Sequence, residues 1–111
     1  MIIYSEILLK ILTGNRAVGM ALFPFILIKN RHITKEVITH EKIHLRQQLE
    51  LLILPFYLLY IIEFLILYIQ TKNLNLAYRK ISFEKEAYAN QNNTNYLSKR
   101  RFYAWIKYYS I

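Results

Sequence analysis

Two histidines four residues apart, His40 and His44, have the spacing of a metal-binding pair. On a helix, residues four apart lie on one face, so both imidazoles can reach the same cation. Glu41 follows His40 and projects roughly 100° away from it around the helix. Its carboxylate can therefore lie beside the metal, hold a metal-bound water and accept a proton from it. The pattern His-Glu-x-x-His predicts a Zn²⁺ site with Glu41 as the general base.

A catalytic zinc ion takes three protein ligands and leaves a fourth position to water. The chain contains no cysteine and no aspartate, so a metal site must be built from histidine and glutamate. The segment SFEKEAYAN offers Glu84 and Glu86. The alternative to a metal site is that His40 and His44 are ordinary polar residues of an amphipathic helix. In that case Glu84 and Glu86 are surface charges on a second, exposed helix.

The order of these motifs resembles the gluzincin zinc metallopeptidases, in which HExxH is followed tens of residues later by a helix carrying Glu-x-x-Ala. Here Glu84 to Ala87 matches the second motif. The stretch FPFILI at 23–28 and the core from His40 to Gln47 are similar to the membrane-embedded branches, the CAAX-type peptidases and the peptidase domains of β-lactam sensors. The resemblance covers about residues 20–90. It implies a small helical zincin-like core with Glu84 as the third zinc ligand.

The chain departs from these families at Tyr88, where an aspartate that supports a zinc-bound histidine is usual. A second register beginning at Glu86 places Asn90 four residues later, in the supporting position. Residues two apart on a helix diverge by roughly 200°, so Glu84 and Glu86 cannot face the metal equally. Glu84 is preferred because the residues before it fit the motif better, and Glu86 is the alternative ligand.

Further polar residues are candidates for supporting the site from behind the ligands. Gln47 and Gln48 lie three and four residues after His44, where either can orient the site or be an ordinary polar helix position. Tyr88 is a candidate for stabilising an oxyanion or for supporting a histidine.

Hydrophobic patterning predicts a single, mainly α-helical domain over residues 1–111, with a short β element near the N-terminus. Residues 1–12 fit a short amphipathic helix, residues 13–15 fit a turn, and the apolar run 17–28 fits one or two strands. An edge of this β element could align an extended peptide. Thr34 fits the N-cap of the helix that carries the histidines. That helix is expected to continue into residues 51–69, and another helix is expected at about 77–90.

Residues 51–69 are long and apolar enough for a transmembrane helix, since seventeen of the nineteen are apolar and the exceptions are Pro55 and Glu63. A single straight span would place His44 and Glu84 on opposite sides of the bilayer, because the helical path from 44 to 69 is roughly 38 Å. We therefore expect a break at or after Pro55 that leaves a piece of about fourteen residues, too short to span straight. The chain after residue 70 should then fold back, part extended and part helical.

A net charge of +8 and a 55% hydrophobic composition suit an anionic membrane surface. The basic, aromatic tail at 99–109 predicts either an interfacial anchor or a C-terminal helix packed on the core. The first residues have no basic region and no small-residue cleavage site, so no signal peptide is expected. These features predict a membrane-associated protein on the cytoplasmic side, with leftover apolar surface available to form a homo-oligomer.

Three functions fit these observations. The leading hypothesis is a membrane-associated zinc metalloendopeptidase that acts on a peptide or protein substrate. The second is a non-catalytic zinc-binding accessory or sensor protein, since 111 residues supply little wall around a cleft. The third is a nucleic-acid-binding protein that uses the basic tail, and the long apolar run makes it the weakest.

Overall fold

The computed structural model describes residues 2–14 and 17–110. Over these residues the protein is mainly helical with a short β element near the N-terminus, which confirms the predicted fold class. The strands are β1 (Ile2–Tyr4), β2 (Gly19–Leu22) and β3 (Phe25–Ile28). The α-helices are α1 (Glu6–Thr13), α2 (Lys35–Glu50), α3 (Leu54–Thr71), α4 (Leu74–Lys80), α5 (Ser82–Asn90) and α6 (Tyr96–Lys99), and a 3-10 helix covers Ala104–Tyr108.

In the described part of the chain, the sheet has the strand order β1-β3-β2, with β1 parallel and β2 antiparallel to β3. The prediction of one helix over residues 1–12 is wrong, because residues 2–4 pair with β3. Helix α1 begins only after Ser5, whose hydroxyl accepts a hydrogen bond from the Leu8 backbone N–H. Gly14 ends α1 in the left-handed conformation, and Asn15 of the predicted turn lies outside the described residues. Strand β2 is left at one edge of this sheet.

Helix α2 begins after Thr34, as predicted, but it does not continue into the apolar run. Residues 51–53 form a turn in which Leu52 and Ile53 have φ values of 59° and 71°. Pro55 lies in the first turn of α3, where backbone N–H groups have no partner within the helix, so the missing N–H of proline costs no hydrogen bond. The chain therefore turns before Pro55 rather than at or after it. The helix that follows has 18 residues, more than the expected fourteen, and is long and apolar enough to cross a membrane.

One narrow face of α3 is buried, and the remainder is exposed. Phe56, Glu63 and Leu67 follow one another at helical spacing and are buried. The opposite face carries exposed leucine and isoleucine side chains, and only 17% of the helix is buried inside the fold.

After α3 the chain reverses and returns along it, so that α5 packs beside the first half of α3. The rings of Phe56 and Phe83 lie 4.7 Å apart, and the Glu63 carboxylate accepts hydrogen bonds from Ser82. The predicted reversal is present, but the returning chain is helical, with α4 and α5 separated at Ile81. The single helix predicted over 77–90 is thus two helices.

The C-terminal segment packs on the helices by way of Trp105. Its ring lies 4.8 Å from the ring of Phe83, and the two belong to one core cluster. The segment is irregular between α6 and the 3-10 helix, so it is not the continuous helix considered from the sequence. Phe102 and Ile106 remain exposed beside it.

Candidate metal centre

The folded chain brings His40, His44 and Glu84 together at one buried point between α2 and α5. Glu84 Oε1 lies 3.0 Å from His40 Nε2 and 3.1 Å from His44 Nε2. The two Nε2 atoms are themselves 3.1 Å apart. Three potential ligand atoms therefore form a nearly equilateral triangle.

Each histidine is held from behind by a glutamine. His44 Nδ1–H donates to Gln47 Oε1 at 2.7 Å, and His40 Nδ1–H donates to Gln91 Oε1 at 2.8 Å. A neutral imidazole that carries its proton on Nδ1 has its lone pair on Nε2. Both lone pairs then point into the triangle, which is the arrangement that metal-bound histidines require of their supporting residues.

The chemistry and spacing of these donors fit a divalent cation. Two lone-pair nitrogens and a carboxylate oxygen at 3.0–3.1 Å repel one another unless a proton or a cation lies among them. Ligand atoms on a tetrahedral ion with bonds of about 2.0–2.1 Å are roughly 3.3 Å apart. The triangle is close to that separation, so His40, His44 and Glu84 could hold a metal ion with little movement.

The ionised Glu84 carboxylate favours a positive charge at the centre of the triangle. Burial alone lowers the pKa of His44, but the Glu84 carboxylate outweighs it and raises the pKa to about 9. Burial alone raises the pKa of Glu84, yet the charge of protonated His44, with hydrogen bonds that the histidines donate when a proton takes the place of a cation, holds it well below its usual range. A carboxylate that stays ionised beside two imidazoles is the charge distribution that a cation site needs.

Glu41 lies beside the triangle and is not part of it. Burial raises the pKa of Glu41, and the nearby charges of His44 and His40 offset this rise only in part. Gly19 of β2 packs closely against it, since a Cβ there would lie 3.3 Å from Glu41 Cγ and 3.1 Å from Val37 Cγ1. The absence of a side chain at position 19 thus lets the edge strand approach the acid.

The centre opens into a cleft made of two adjoining cavities of about 590 and 230 Å³. Both cavities are lined by Ala17, Gly19, Glu41, Tyr60 and Tyr78. The larger one reaches His40, and the smaller one reaches His44 and Glu84 and has mostly apolar walls. A small molecule or an extended chain in this cleft would contact Glu41 and face the triangle.

The structure places the other predicted residues in different roles. Gln47 supports His44, whereas Gln48 contacts neither histidine and instead donates to Ala21 O at 2.9 Å and accepts from the Phe23 N–H. Gln48 therefore fastens β2 to α2.

Tyr88 packs its ring edge-on against His40, with centroids 4.4 Å apart, and its hydroxyl lies 3.2 Å from that of Tyr78. Asn90 does not reach a histidine, because its amide donates to Glu86 O and to the Tyr108 hydroxyl. Glu86 faces away from the triangle and binds Arg100.

Two residues of the centre, Gln91 and Tyr60, were not predicted. Gln91 lies seven residues after Glu84, two helical turns along the same face, so periodicity alone could have suggested it. The Tyr60 hydroxyl donates to Glu84 Oε2, and this contact has no local signal because the two residues belong to different helices.

Comparison with protein-family models, curated proteins and solved structures finds no match to this chain. The functional assignment therefore depends on the residues described above. They form a buried group of two histidines and a glutamate that could hold a metal ion, with a second carboxylate beside it and an open cleft in front.

Proposed function

We propose that this protein is a membrane-associated zinc metallopeptidase, similar in its motifs to the gluzincins. The observation that carries the proposal is the placement of Glu41 next to the His40–His44–Glu84 triangle, on the wall of the cleft. A metal site that only stabilises a fold has no need of an acid beside it. A hydrolytic site needs one to remove a proton from water.

Bound by His40, His44 and Glu84, Zn²⁺ would supply a polarising charge and lower the pKa of water toward ~7. Glu41 is the group that accepts the proton, because its carboxylate lies beside the triangle on the wall of the cleft. Tyr60 holds Glu84 through the second carboxylate oxygen, which leaves Oε1 turned toward the histidines. Gln47 and Gln91 keep the histidine lone pairs turned inward.

A peptide is the substrate that best suits the cleft. Strand β2 lies at the edge of the described sheet, and Gly19 brings that edge beside Glu41. The Ala21 carbonyl farther along β2 already accepts hydrogen bonds from Gln48 and Tyr57, so an extended peptide would add to this edge through main-chain hydrogen bonds around Gly19. The apolar walls of the smaller cavity would accept an apolar side chain.

Membrane association is proposed from the uncovered apolar faces of two helices. On α1, Ile7 and Ile11 are 73% and 72% exposed, and α3 carries a longer exposed row that includes Leu58, Leu65 and Ile69. Covering apolar surface of this kind with lipid is favourable by about 25 cal/mol per Å². The net charge of +8 would add attraction to the anionic lipids of a cytoplasmic leaflet.

The Glu41→Gln exchange tests the catalytic proposal. The amide keeps the shape of the side chain but cannot accept a proton, so we expect peptide hydrolysis by the zinc-loaded protein to fall by about 10²–10⁴-fold. Zinc content should not change, because Glu41 lies outside the triangle. Equal turnover by the wild type and Glu41→Gln proteins would rule out this mechanism.

A second candidate is a non-catalytic zinc-binding accessory or sensor protein. The observation that favours it is burial, since His40, His44 and Glu84 are only 4–6% exposed, which leaves a substrate little access to an ion held by them. Stoichiometric zinc binding without turnover of a broad peptide library would support this candidate over the peptidase.

A further inference from the structure

Arg100 is buried between two carboxylates that belong to the two helices of the metal centre. It binds Glu50 at the end of α2 through Nη1 and Nη2, at 2.8 and 3.0 Å. It binds Glu86 of α5 through Nη2 at 3.0 Å and through Nε. The side chains of all three residues are at most 4% exposed. The C-terminal segment thus joins α2 to α5 through one guanidinium group.

Glu86 also reaches the metal centre through Gln47. The Gln47 amide group donates one N–H to Glu86 Oε1 at 2.9 Å and the other to Phe83 O at 3.0 Å. An amide NH₂ has only two donors, and both are used. Gln47 Oε1 must therefore face His44 Nδ1, which lies 2.7 Å away.

From this chain of contacts we propose that Glu86 is a positioning residue for the metal centre. Anchored by Arg100, it orients the amide of Gln47 and thereby keeps a proton on His44 Nδ1 when Nε2 gives up its own proton to bind a metal. If Gln47 turned over, its NH₂ group would face Nδ1, and the ring would carry its proton on Nε2. That nitrogen could then no longer bind a metal. The inference rests on the proposed metal centre, but not on peptidase activity.

A carboxylate suits this role because it accepts hydrogen bonds and donates none. Glu86 receives donors from Gln47, Arg100 and the Tyr96 hydroxyl, so it always presents an acceptor to the Gln47 amide. A buried carboxylate needs a positive partner to remain ionised, and Arg100 supplies it.

The test compares Glu86→Gln with Glu50→Gln. Each exchange removes one of the two carboxylates that bind Arg100, but only Glu86 contacts Gln47. The probe is Zn²⁺ alone, titrated against a competing chelator. We expect Glu86→Gln to weaken zinc binding by about tenfold, at the low end of the effect of residues that support zinc-bound histidines. Glu50→Gln should lower the stability of the fold to a similar degree and leave zinc affinity unchanged.

Nuclear magnetic resonance provides a readout that a loss of stability would not mimic. In the zinc-loaded wild type, the His44 Nδ1–H proton should be slow to exchange with water and shifted downfield by its hydrogen bond to Gln47. In Glu86→Gln it should exchange faster, while the Nδ1–H of His40 remains unchanged. Arg100→Lys keeps the charge but cannot bind both carboxylates at once, so its zinc affinity and its His44 Nδ1–H exchange rate should lie between those of the wild type and Glu86→Gln. Arg101 is exposed, so Arg101→Gln should match the wild type in both measurements.

Equal zinc affinities for Glu86→Gln and Glu50→Gln, or an unchanged His44 signal, would overturn the inference. Should Glu86→Gln not fold, the Arg100→Lys and Arg101→Gln pair decides the question by the same two measurements. A wild type that binds zinc without hydrolysing peptides would refute the peptidase and leave the role of Glu86 intact. A wild type that binds no zinc would refute both.

Discussion

The carboxylate of Glu63 accepts two hydrogen bonds from Ser82, one from its hydroxyl at 2.7 Å and one from its backbone N–H at 3.0 Å. Ser82 is the first residue of α5, whose N-terminal amides have no partner within the helix. Glu63 therefore caps α5 from the middle of α3, where a negative charge also interacts favourably with the helix dipole. This contact explains an acid in an otherwise apolar helix, and it helps to bring Glu84 to the histidines.

Replacing Glu63 with leucine should destabilise the fold. Leucine fits the apolar surroundings but leaves the Ser82 N–H and hydroxyl buried without acceptors, at a cost of about 1–3 kcal/mol for each group. Urea unfolding of the metal-free protein measures the loss. Glu36→Leu, on an exposed turn of α2, is the matched control and should change the unfolding free energy by less than about 1 kcal/mol. Similar losses for the two variants would contradict the capping role.

Removing any one residue of the triangle should abolish stoichiometric zinc binding. We expect His44→Ala and Glu84→Ala each to weaken binding by more than the roughly 100-fold seen when only a supporting residue is lost. Metal analysis after gel filtration makes the comparison. His32→Ala is the control, because His32 is exposed and outside the triangle. If His32→Ala lost zinc while His44→Ala retained it, the assignment of the centre would be wrong.

Gln91 and its neighbour Asn90 offer a second matched pair. Gln91→Leu removes the acceptor of the His40 Nδ1–H and should weaken zinc binding by about 10–100-fold. Asn90→Ala removes an amide that contacts Glu86 O and Tyr108 instead, so zinc affinity should stay close to that of the wild type. If Asn90→Ala weakened zinc binding more than Gln91→Leu, Asn90 rather than Gln91 would be the residue that supports a zinc-bound histidine.

Adding a methyl group at Gly19 should impair catalysis without removing the metal. The Cβ of Gly19→Ala would press on Val37 and Glu41, so the carboxylate of Glu41 has to move. Small displacements of catalytic groups lower rates by up to about 10²-fold. Measured on the same sample, peptide hydrolysis should therefore fall while zinc affinity stays close to that of the wild type. Full activity in Gly19→Ala would show that β2 does not constrain Glu41.

The exposed row of α3 should carry membrane binding. Leu58→Ser combined with Leu65→Ser removes two side chains that are 61% and 52% exposed, so the fold should tolerate the change. A fully buried leucine contributes about 1.5–3 kcal/mol, and the double variant should therefore bind vesicles at least tenfold more weakly. Co-sedimentation of the protein with vesicles of anionic lipid and with vesicles of zwitterionic lipid measures this binding. Binding to anionic vesicles should also weaken as salt rises, because salt screens the basic groups. Unchanged sedimentation of the double variant would place the contact elsewhere.

Local periodicity was enough to predict much of the fold and part of the centre. The apolar pattern predicted a mainly helical chain with an early β element, and the spacing of His40 and His44 predicted that they share one helix face. The errors have local causes. Patterning predicts a helix at β1 because a three-residue strand has too few positions to show alternation. Proline as a helix breaker predicts a break at or after Pro55, but proline is favoured in a first helical turn, and the chain breaks earlier, at 51–53.

The order of residues is enough to tell which of them share a helix face, because that follows from the 3.6-residue repeat and needs no partner. The packing of distant parts of the chain turns Glu84 to the histidines and Glu86 to Arg100, and it adds Tyr60 and Gln91 to the centre. These contacts join residues 14 to 51 positions apart. They depend on how α2, α3 and α5 pack, which is the sum of many small burial and hydrogen-bonding energies spread over the whole chain.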